Sequence, residues 1–215
     1  MRFRIDLKIF IFIILFYFTR QIEMYALIMI FCIIHEFGHL LSGILLGMKP
    51  NKIEIMPYGI SISFKLYIKD SNKKICRANL LELKKLVVAI SGPITNLIII
   101  LALLLFDMQF IKKEIAIYAN ILIMSFNLLP IYPLDGGRAL KSLIHIFFGI
   151  RKAKVITNKT ANIMMIFITC LGSIGVYYFE NVAIFLVIVF LWWLVIVENR
   201  RYKLFEKIGV DLVDD

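Results

Sequence analysis

Hydrophobic residues fall into long runs separated by charged segments, and they do not form the alternating stripes of amphipathic elements. A helix needs about 20 residues to cross the hydrocarbon core of a bilayer. The runs after the first are long enough to do so, and the first can span if the bilayer thins locally. The pattern predicts an all-α polytopic membrane protein with about six transmembrane helices. The six runs cover residues 7–19, 22–47, 86–106, 115–134, 161–179 and 181–198.

Two segments outside those runs carry other patterns. Residues 52–68 are rich in β-branched residues, alternate over "ISISFKLYI" and contain a Pro-Tyr-Gly turn signal, so they predict a short β-hairpin or extended pair at the cytoplasmic face. Residues 138–150 predict an amphipathic helix at the membrane interface. We therefore expect one six-span membrane domain over residues 1–198 and a short cytoplasmic tail over 199–215, with no additional soluble domain.

Composition and charge support this layout. Hydrophobic residues make up 61% of the chain, whereas soluble domains contain about 45–50%. The net charge is +10, and if the six spans are threaded in order only Arg20, Lys112 and Lys113 lie on the side opposite the termini. The positive-inside rule then predicts that both termini are cytoplasmic. Because the basic charge has this topological role, we expect membrane lipid and no nucleic acid as its partner.

The second apolar run contains the stretch "FCIIHEFGHLLSG", residues 31–43, which places ionisable groups in an apolar setting. His35 and His39 are four residues apart, so a helix puts both on one face, where two imidazoles can hold one metal ion. Glu36 turns aside from that face and is suited to act as a general base. Burying all three groups in lipid is costly unless they face a cavity or a metal. The stretch therefore predicts a Zn²⁺ site.

A catalytic zinc site needs a third protein ligand and an open position. Asp135 is the best candidate, because it lies in "NLLPIYPLDGGR", residues 127–138, at the cytoplasmic end of the fourth run. The prolines and glycines around it predict a broken helix, which a membrane tolerates only around a protein-lined or watery cavity. The alternative for Asp135 is a helix cap at the interface. We expect the remaining histidine, His145, to be an interfacial side chain and not a ligand.

Three motifs, taken in order and spacing, resemble the site-2 protease family of intramembrane zinc metalloproteases: "HEFGH", "SGPITN" (91–96) and "NLLPIYPLDGGR". The segment "MPYGISI" (56–62) also resembles the loop that precedes the third span in that family. Within the family, the chain is most similar to the stage IV sporulation protein FB group. The resemblance covers roughly residues 25–200. Bacillus-type members carry a further C-terminal domain resembling cystathionine β-synthase, which this chain is expected to lack.

The resemblance implies a role for each matching residue. His35, His39 and Asp135 would bind Zn²⁺, and Glu36 would be the general base. Asn127 would hydrogen-bond the substrate backbone or help to orient it. Asn96 would sit in a helix break and could support the transition state, and its alternative is an interhelical hydrogen bond.

The resemblance also implies an activity and partners. The substrate would be a membrane-tethered pro-protein cut within or near its membrane segment, and in the sporulation group it is a sigma-factor precursor. The enzyme would lie in the bacterial cell membrane, or in the membrane surrounding the forespore, with an inhibitory or regulatory membrane protein as partner. An edge strand within residues 52–68 could hold the unwound substrate as an added strand.

Two other functions fit some of these residues. A membrane metal transporter also places histidines and acids in spans, but its ligands would follow a path along several helices. A non-catalytic family member that binds membrane partners would be expected to have lost the base or a ligand. Because Glu36 is present and the candidate ligands converge at one depth, zinc metalloprotease is the working hypothesis.

Overall fold

The computed structural model describes residues 2–5, 17, 22–56, 59–65, 75–106, 112–179 and 182–208. Most of these residues are helical, and the remaining regular structure is one small sheet. The helices are α1 Ile22–Leu45, α2 Ile75–Leu105, α3 Lys113–Asn127, α4 Asp135–Phe179 and α5 Val182–Ile208. The strands are β1 Arg2–Ile5, β2 Lys49–Met56 and β3 Gly59–Lys65.

Three helical segments of the described chain are long and apolar enough to cross a membrane: 25–45, 79–105 and 135–178. The prediction of a mostly helical protein with apolar spans is confirmed at this level, whereas the six-span layout stays a prediction. The first predicted run, 7–19, lies outside the described residues except for Tyr17. The helix of the fourth run, α3, has 15 residues and ends at Asn127, because the prolines that follow cannot continue a helix.

The helix predicted at residues 138–150 and the predicted span 161–179 belong to one element, α4. This element has non-helical backbone angles at Gly149, whose φ is 81°. Glycine adopts this left-handed conformation without the steric cost that other residues carry. The amphipathic segment and the apolar segment are therefore joined at a glycine kink rather than by a loop.

The chain forms two compact units, of which the first comprises residues 1–78 and 87–127. Its core lies where α1, α2 and α3 meet, and the buried residues there are Phe31, Leu103, Ala116, Ala119 and Ile123. One stripe of α1 is exposed instead and repeats every three or four residues, as expected of a face turned to lipid. Its members are Ile30, Ile33, Phe37, Leu41 and Ile44.

The sheet of the first unit has the strand order β1-β2-β3. β2 pairs antiparallel with β3, with Ile53 opposite Ile62, and β1 pairs parallel with β2. The strand pair lies in the segment for which an extended pair was predicted, while the predicted turn at 57–58 lies outside the described residues. Strand β1 was not predicted. Phe64 of β3 packs against Gly43 of α1, which holds the sheet beside the end of that helix.

The second unit comprises residues 79–86 and 128–215, and its main contact is between α4 and α5. Its fully buried side chains include Met165, Leu191 and Val195. His145 lies partly buried, with its Nδ1 3.4 Å from the carboxylate of Glu82, which also contacts Lys85 at 3.0 Å. Its position at a membrane interface stays a prediction.

Candidate metal centre

His35 and His39 lie on one buried face of α1, as the four-residue spacing predicts. Their exposed fractions are 3% and 5%. The two Nε2 atoms are 3.2 Å apart, and the rings are nearly perpendicular, with centroids 4.8 Å apart. Glu36 follows His35 and is half-buried. Since a helix turns about 100° per residue, Glu36 is displaced around α1 from the two imidazoles.

The other nitrogen of each imidazole is engaged by α2. His39 Nδ1 lies 2.6 Å from the backbone oxygen of Val88, and His35 Nδ1 contacts Oδ1 of Asn96. A carbonyl oxygen can only accept, so a neutral His39 donates through Nδ1 and carries a lone pair on Nε2. A neutral His35 that donates to Asn96 Oδ1 likewise carries a lone pair on Nε2. Two Nε2 lone pairs 3.2 Å apart are suitably placed to bind one cation.

Gly92 of α2 provides the space in front of the two Nε2 atoms. A Cβ at this position would lie 2.6 Å from His35 Nε2 and closer still to His39 Nε2. Any side chain here would therefore displace the imidazoles. The expected helix break next to this residue is wrong: α2 is helical through Pro93. Proline is tolerated within membrane helices because neighbouring groups satisfy the backbone.

Asn96 lies directly beside this site and is fully buried. Besides its contact with His35, it donates from Nδ2 to Oδ1 of Asn120 on α3 at 2.8 Å. Asn120, also fully buried, donates in turn to the backbone oxygen of Ala116 at 2.8 Å. These bonds match the interhelical alternative for Asn96, and its support of a transition state stays a prediction.

Sequence reasoning missed Asn120. Its only local signal is one amide side chain in the apolar run of α3, and its partner Asn96 lies 24 residues earlier in the chain. Asn127, predicted to contact substrate, is the last residue of α3 and half-buried. Its Nδ2 donates to the backbone oxygen of Ile123 at 3.0 Å, a bond within its own helix.

In the second unit, Asp135 is the first residue of α4 and is 6% exposed. The segment before it is not helical and folds back through backbone bonds, including one from Leu134 N to Ile131 O at 2.8 Å. Gly136 permits this close return, because a Cβ there would lie 2.6 Å from the backbone oxygen of Leu129. The helix interruption predicted around Asp135 is thus present. The carboxylate also lies 3.9 Å from Arg138.

The chemistry of the candidate ligands suits zinc. The predicted ligands His35, His39 and Asp135 comprise two imidazoles and one carboxylate. Catalytic zinc sites commonly combine nitrogen and carboxylate ligands in this number and leave one position open. The donor set and the paired Nε2 lone pairs therefore both fit Zn²⁺.

The sequence profile of peptidase family M50 matches residues 110–172. A zinc metalloprotease of Methanocaldococcus jannaschii is 24% identical over 178 residues, which cover 79% of this chain and 47% of that protein. Stage IV sporulation protein FB of Bacillus subtilis is 24% identical over 156 residues, or 71% of this chain and 51% of that protein.

Among solved structures, the site-2 protease from Methanocaldococcus jannaschii is similar in fold. The TM-score is 0.65 at 20% identity, and the match covers 98% of this chain and 92% of that one. The chain spans about half the length of the curated relatives it matches. Together these matches confirm the resemblance to the site-2 protease family and to its stage IV sporulation protein FB group.

Proposed function

We propose that this chain, a relative of the site-2 proteases, is an intramembrane zinc metalloprotease that cleaves a membrane-tethered protein within or near its membrane segment. One observation carries the proposal. The two imidazoles of the H-E-F-G-H motif are buried, their Nε2 atoms are 3.2 Å apart, and their Nδ1 atoms are engaged by acceptors on α2. Relatives that are named zinc metalloproteases support the same conclusion.

In this proposal His35, His39 and Asp135 hold the metal. Bound Zn²⁺ supplies Lewis acidity, which polarises a peptide carbonyl and acidifies water. Glu36 accepts the proton of the attacking water and returns it to the leaving amine, as a general acid–base group does. Asn127 binds the substrate backbone from the end of α3.

The third ligand can be tested separately. Asp135→Ala should lower the zinc content of purified protein, because the carboxylate is replaced by a methyl group. Arg138→Ala is the matched control, since it removes the other member of the 3.9 Å pair and no ligand. Equal zinc content in Asp135→Ala and the unaltered chain would remove Asp135 from the site.

Substrate binding is assigned to strand β3. In the described sheet, β3 pairs with β2 along one edge and has no strand partner along the other. An extended peptide can add to such an edge through main-chain hydrogen bonds. A substrate helix must unwind before its peptide bonds are accessible, and an added strand would hold it in that state.

Proline substitutions at Ser61 and Ile62 test the strand assignment. The N–H groups of neighbouring strand residues point to opposite edges, so one substitution removes a bond to β2 and the other removes a donor facing the substrate. We expect the variant that loses the substrate-facing donor to cleave less while it retains the thermal stability of the unaltered chain. Full cleavage by every stably folded variant would rule out strand addition.

We further propose a sigma-factor precursor as the substrate and a bacterial membrane, in sporulating cells the one surrounding the forespore, as the location. The similarity to stage IV sporulation protein FB supports this. Both termini would be cytoplasmic, and an inhibitory membrane protein would regulate access. Co-expression with tethered precursors, comparing the unaltered chain with Glu36→Gln, tests substrate and activity together. Cleavage of no tethered precursor would argue against this substrate class, and equal cleavage by both chains would exclude Glu36 as the base.

A further inference from the structure

We infer that Asn120, which is linked to His35 through Asn96, is a positioning residue for the proposed metal centre. Through Asn96 it fixes the orientation in which His35 presents its Nε2 lone pair. The inference rests on the metal site of the proposed function. It concerns a chain of three hydrogen bonds, Ala116–Asn120–Asn96–His35, which we call the amide relay.

The first bond of the amide relay, between Asn120 and Ala116, has a fixed acceptor. The backbone oxygen of Ala116 has no proton and can only accept. Asn120 must therefore turn its NH₂ group towards it, and the observed Nδ2 to oxygen distance is 2.8 Å. This fixes the opposite side of the Asn120 amide, so that its Oδ1 faces Asn96.

The second bond transmits this polarity. Asn120 Oδ1 accepts from Nδ2 of Asn96 at 2.8 Å. Asn96 must then present its own Oδ1 on the other side, where it meets His35 Nδ1. An isolated asparagine could turn either end towards a histidine. Here the backbone oxygen of Ala116 on α3 determines, through Asn120, that Asn96 turns its Oδ1 towards His35.

The third bond selects the tautomer of His35. Because Asn96 offers an oxygen, His35 Nδ1 carries the proton, and Nε2 keeps the lone pair that a metal requires. In the other tautomer, an unprotonated Nδ1 would face Oδ1 of Asn96, so that two acceptors would meet. The proton would then be on Nε2, which would have no lone pair for a metal. Since Asn96 and Asn120 are both 0% exposed, solvent does not reach the relay to replace a lost bond.

His39 shows why the relay is needed on one side only. Its Nδ1 donates to the backbone oxygen of Val88, which specifies the tautomer directly. In the amide relay, the side chains of Asn96 and Asn120 separate His35 from the backbone oxygen of Ala116. The orientation of His35 therefore depends on side chains that a substitution can remove.

The test measures Co²⁺ and Zn²⁺ affinity of the full chain in detergent by competition with a chelator. Asn120→Leu removes the amide while keeping similar volume, and should weaken metal binding by about 10- to 100-fold, as loss of an outer-sphere partner typically does. Asn162→Leu is the control. It removes an asparagine pair of the same kind, Asn199 Nδ2 to Asn162 Oδ1 at 2.9 Å, in the second unit, and should leave affinity within about 2-fold.

A double-mutant cycle separates positioning from packing. If Asn120 acts through Asn96, Asn120→Leu should cost little further affinity when Asn96→Leu is already present, because coupled residues are not additive. Independent, additive losses would overturn the inference. Asn120→Asp, whose protonated carboxyl keeps an oxygen facing Asn96 and an O–H donor facing Ala116, should recover part of the affinity lost in Asn120→Leu.

A spectroscopic readout keeps the inference distinct from the proposed function. Histidine ¹⁵N shifts of the metal-free chain should show the proton of His35 on Nδ1, and a mixture of tautomers in Asn120→Leu. If the unaltered chain bound no metal, the proposed function would be wrong, but the tautomer of His35 would still show whether the amide relay orients it. If it bound metal but Asn120→Leu had the same affinity and tautomer, the relay alone would be wrong.

Discussion

Buried polar groups occur in both units, but in the described chain the buried side-chain atoms without a hydrogen-bond partner lie in the second unit. In the first unit, His35, Asn96 and Asn120 are linked by successive hydrogen bonds that end on a backbone oxygen. In the second unit, Thr157 Oγ1 is buried and has no hydrogen-bond partner among the described protein groups. Asn199 donates to Asn162, but its own Oδ1 is buried without such a partner.

The difference shows where this chain uses polar groups for orientation. A fully satisfied buried network holds its members in one arrangement, whereas a buried polar atom without a partner is destabilising. The first unit therefore has the rigidity that a preorganised site needs. The α4–α5 pair is instead stabilised mainly by apolar packing around Met165, Leu191 and Val195.

The largest effect is expected from Glu36→Gln, which leaves the candidate ligands in place and removes the proposed base. Cleavage should fall by about 100- to 10,000-fold, the usual contribution of general acid–base catalysis. Zinc content should not change. Cleavage is measured on a tethered substrate, and zinc by elemental analysis of the same preparation. Loss of zinc from the variant would show that Glu36 supports binding and not only proton transfer.

Gly92→Ala and Gly175→Ala compare two helical glycines, one in each unit. A Cβ at Gly92 would meet both Nε2 atoms, whereas a Cβ at Gly175 would make ordinary contact with Ile184 at 3.6 Å. We expect Gly92→Ala to weaken metal binding by at least about 10- to 100-fold, because both imidazoles must move. Gly175→Ala should bind metal like the unaltered chain. Equal metal affinity in the two variants would mean that Gly92 does not shape the site.

Asn127→Ala tests a polar residue of the first unit that stands outside the amide relay. If Asn127 binds the substrate backbone, its loss should raise KM by about 3- to 10-fold, the value of one hydrogen bond, at unchanged zinc content. The measurement is a substrate titration in detergent. An unchanged KM would restrict Asn127 to its observed bond with Ile123 at the end of α3.

The smallest effect is expected from Thr157→Val in the second unit. No bond to a described protein group is lost, and the two side chains have nearly the same shape. The free energy of unfolding should change by less than about 1 kcal/mol, and cleavage should be unaffected. Thermal unfolding of the variant beside Asn120→Leu makes the comparison direct. A larger loss in Thr157→Val than in Asn120→Leu would contradict the contrast between the units.

Sequence reasoning predicted features that depend on neighbouring residues and missed features that depend on contacts between distant segments. The common face of His35 and His39 was predicted because it depends only on the periodicity of one helix. The interruption before Asp135 was also predicted, because proline and glycine act locally. The strand pair β2–β3 lies where alternation indicated extended structure, whereas the four residues of β1 are too few for a pattern.

Other features depend on contacts between distant segments. Asn120 looks like a solitary polar residue in an apolar run, and only the packing of α3 beside α2 shows its role. The continuity of α2 through Pro93 was missed, because a proline in a membrane helix can either break it or be accommodated. The joining of two predicted elements at Gly149 depends on one backbone conformation that glycine permits but does not require.

The bond from His39 to Val88 has an evolutionary consequence. Its acceptor is a backbone oxygen, so a substitution of Val88 can remove the bond only by changing the helix backbone. The equivalent support of His35 is encoded in two amide side chains, each of which a point mutation can erase. Under the proposed function, natural variation at position 120 would therefore change the affinity for metal while every proposed ligand is retained.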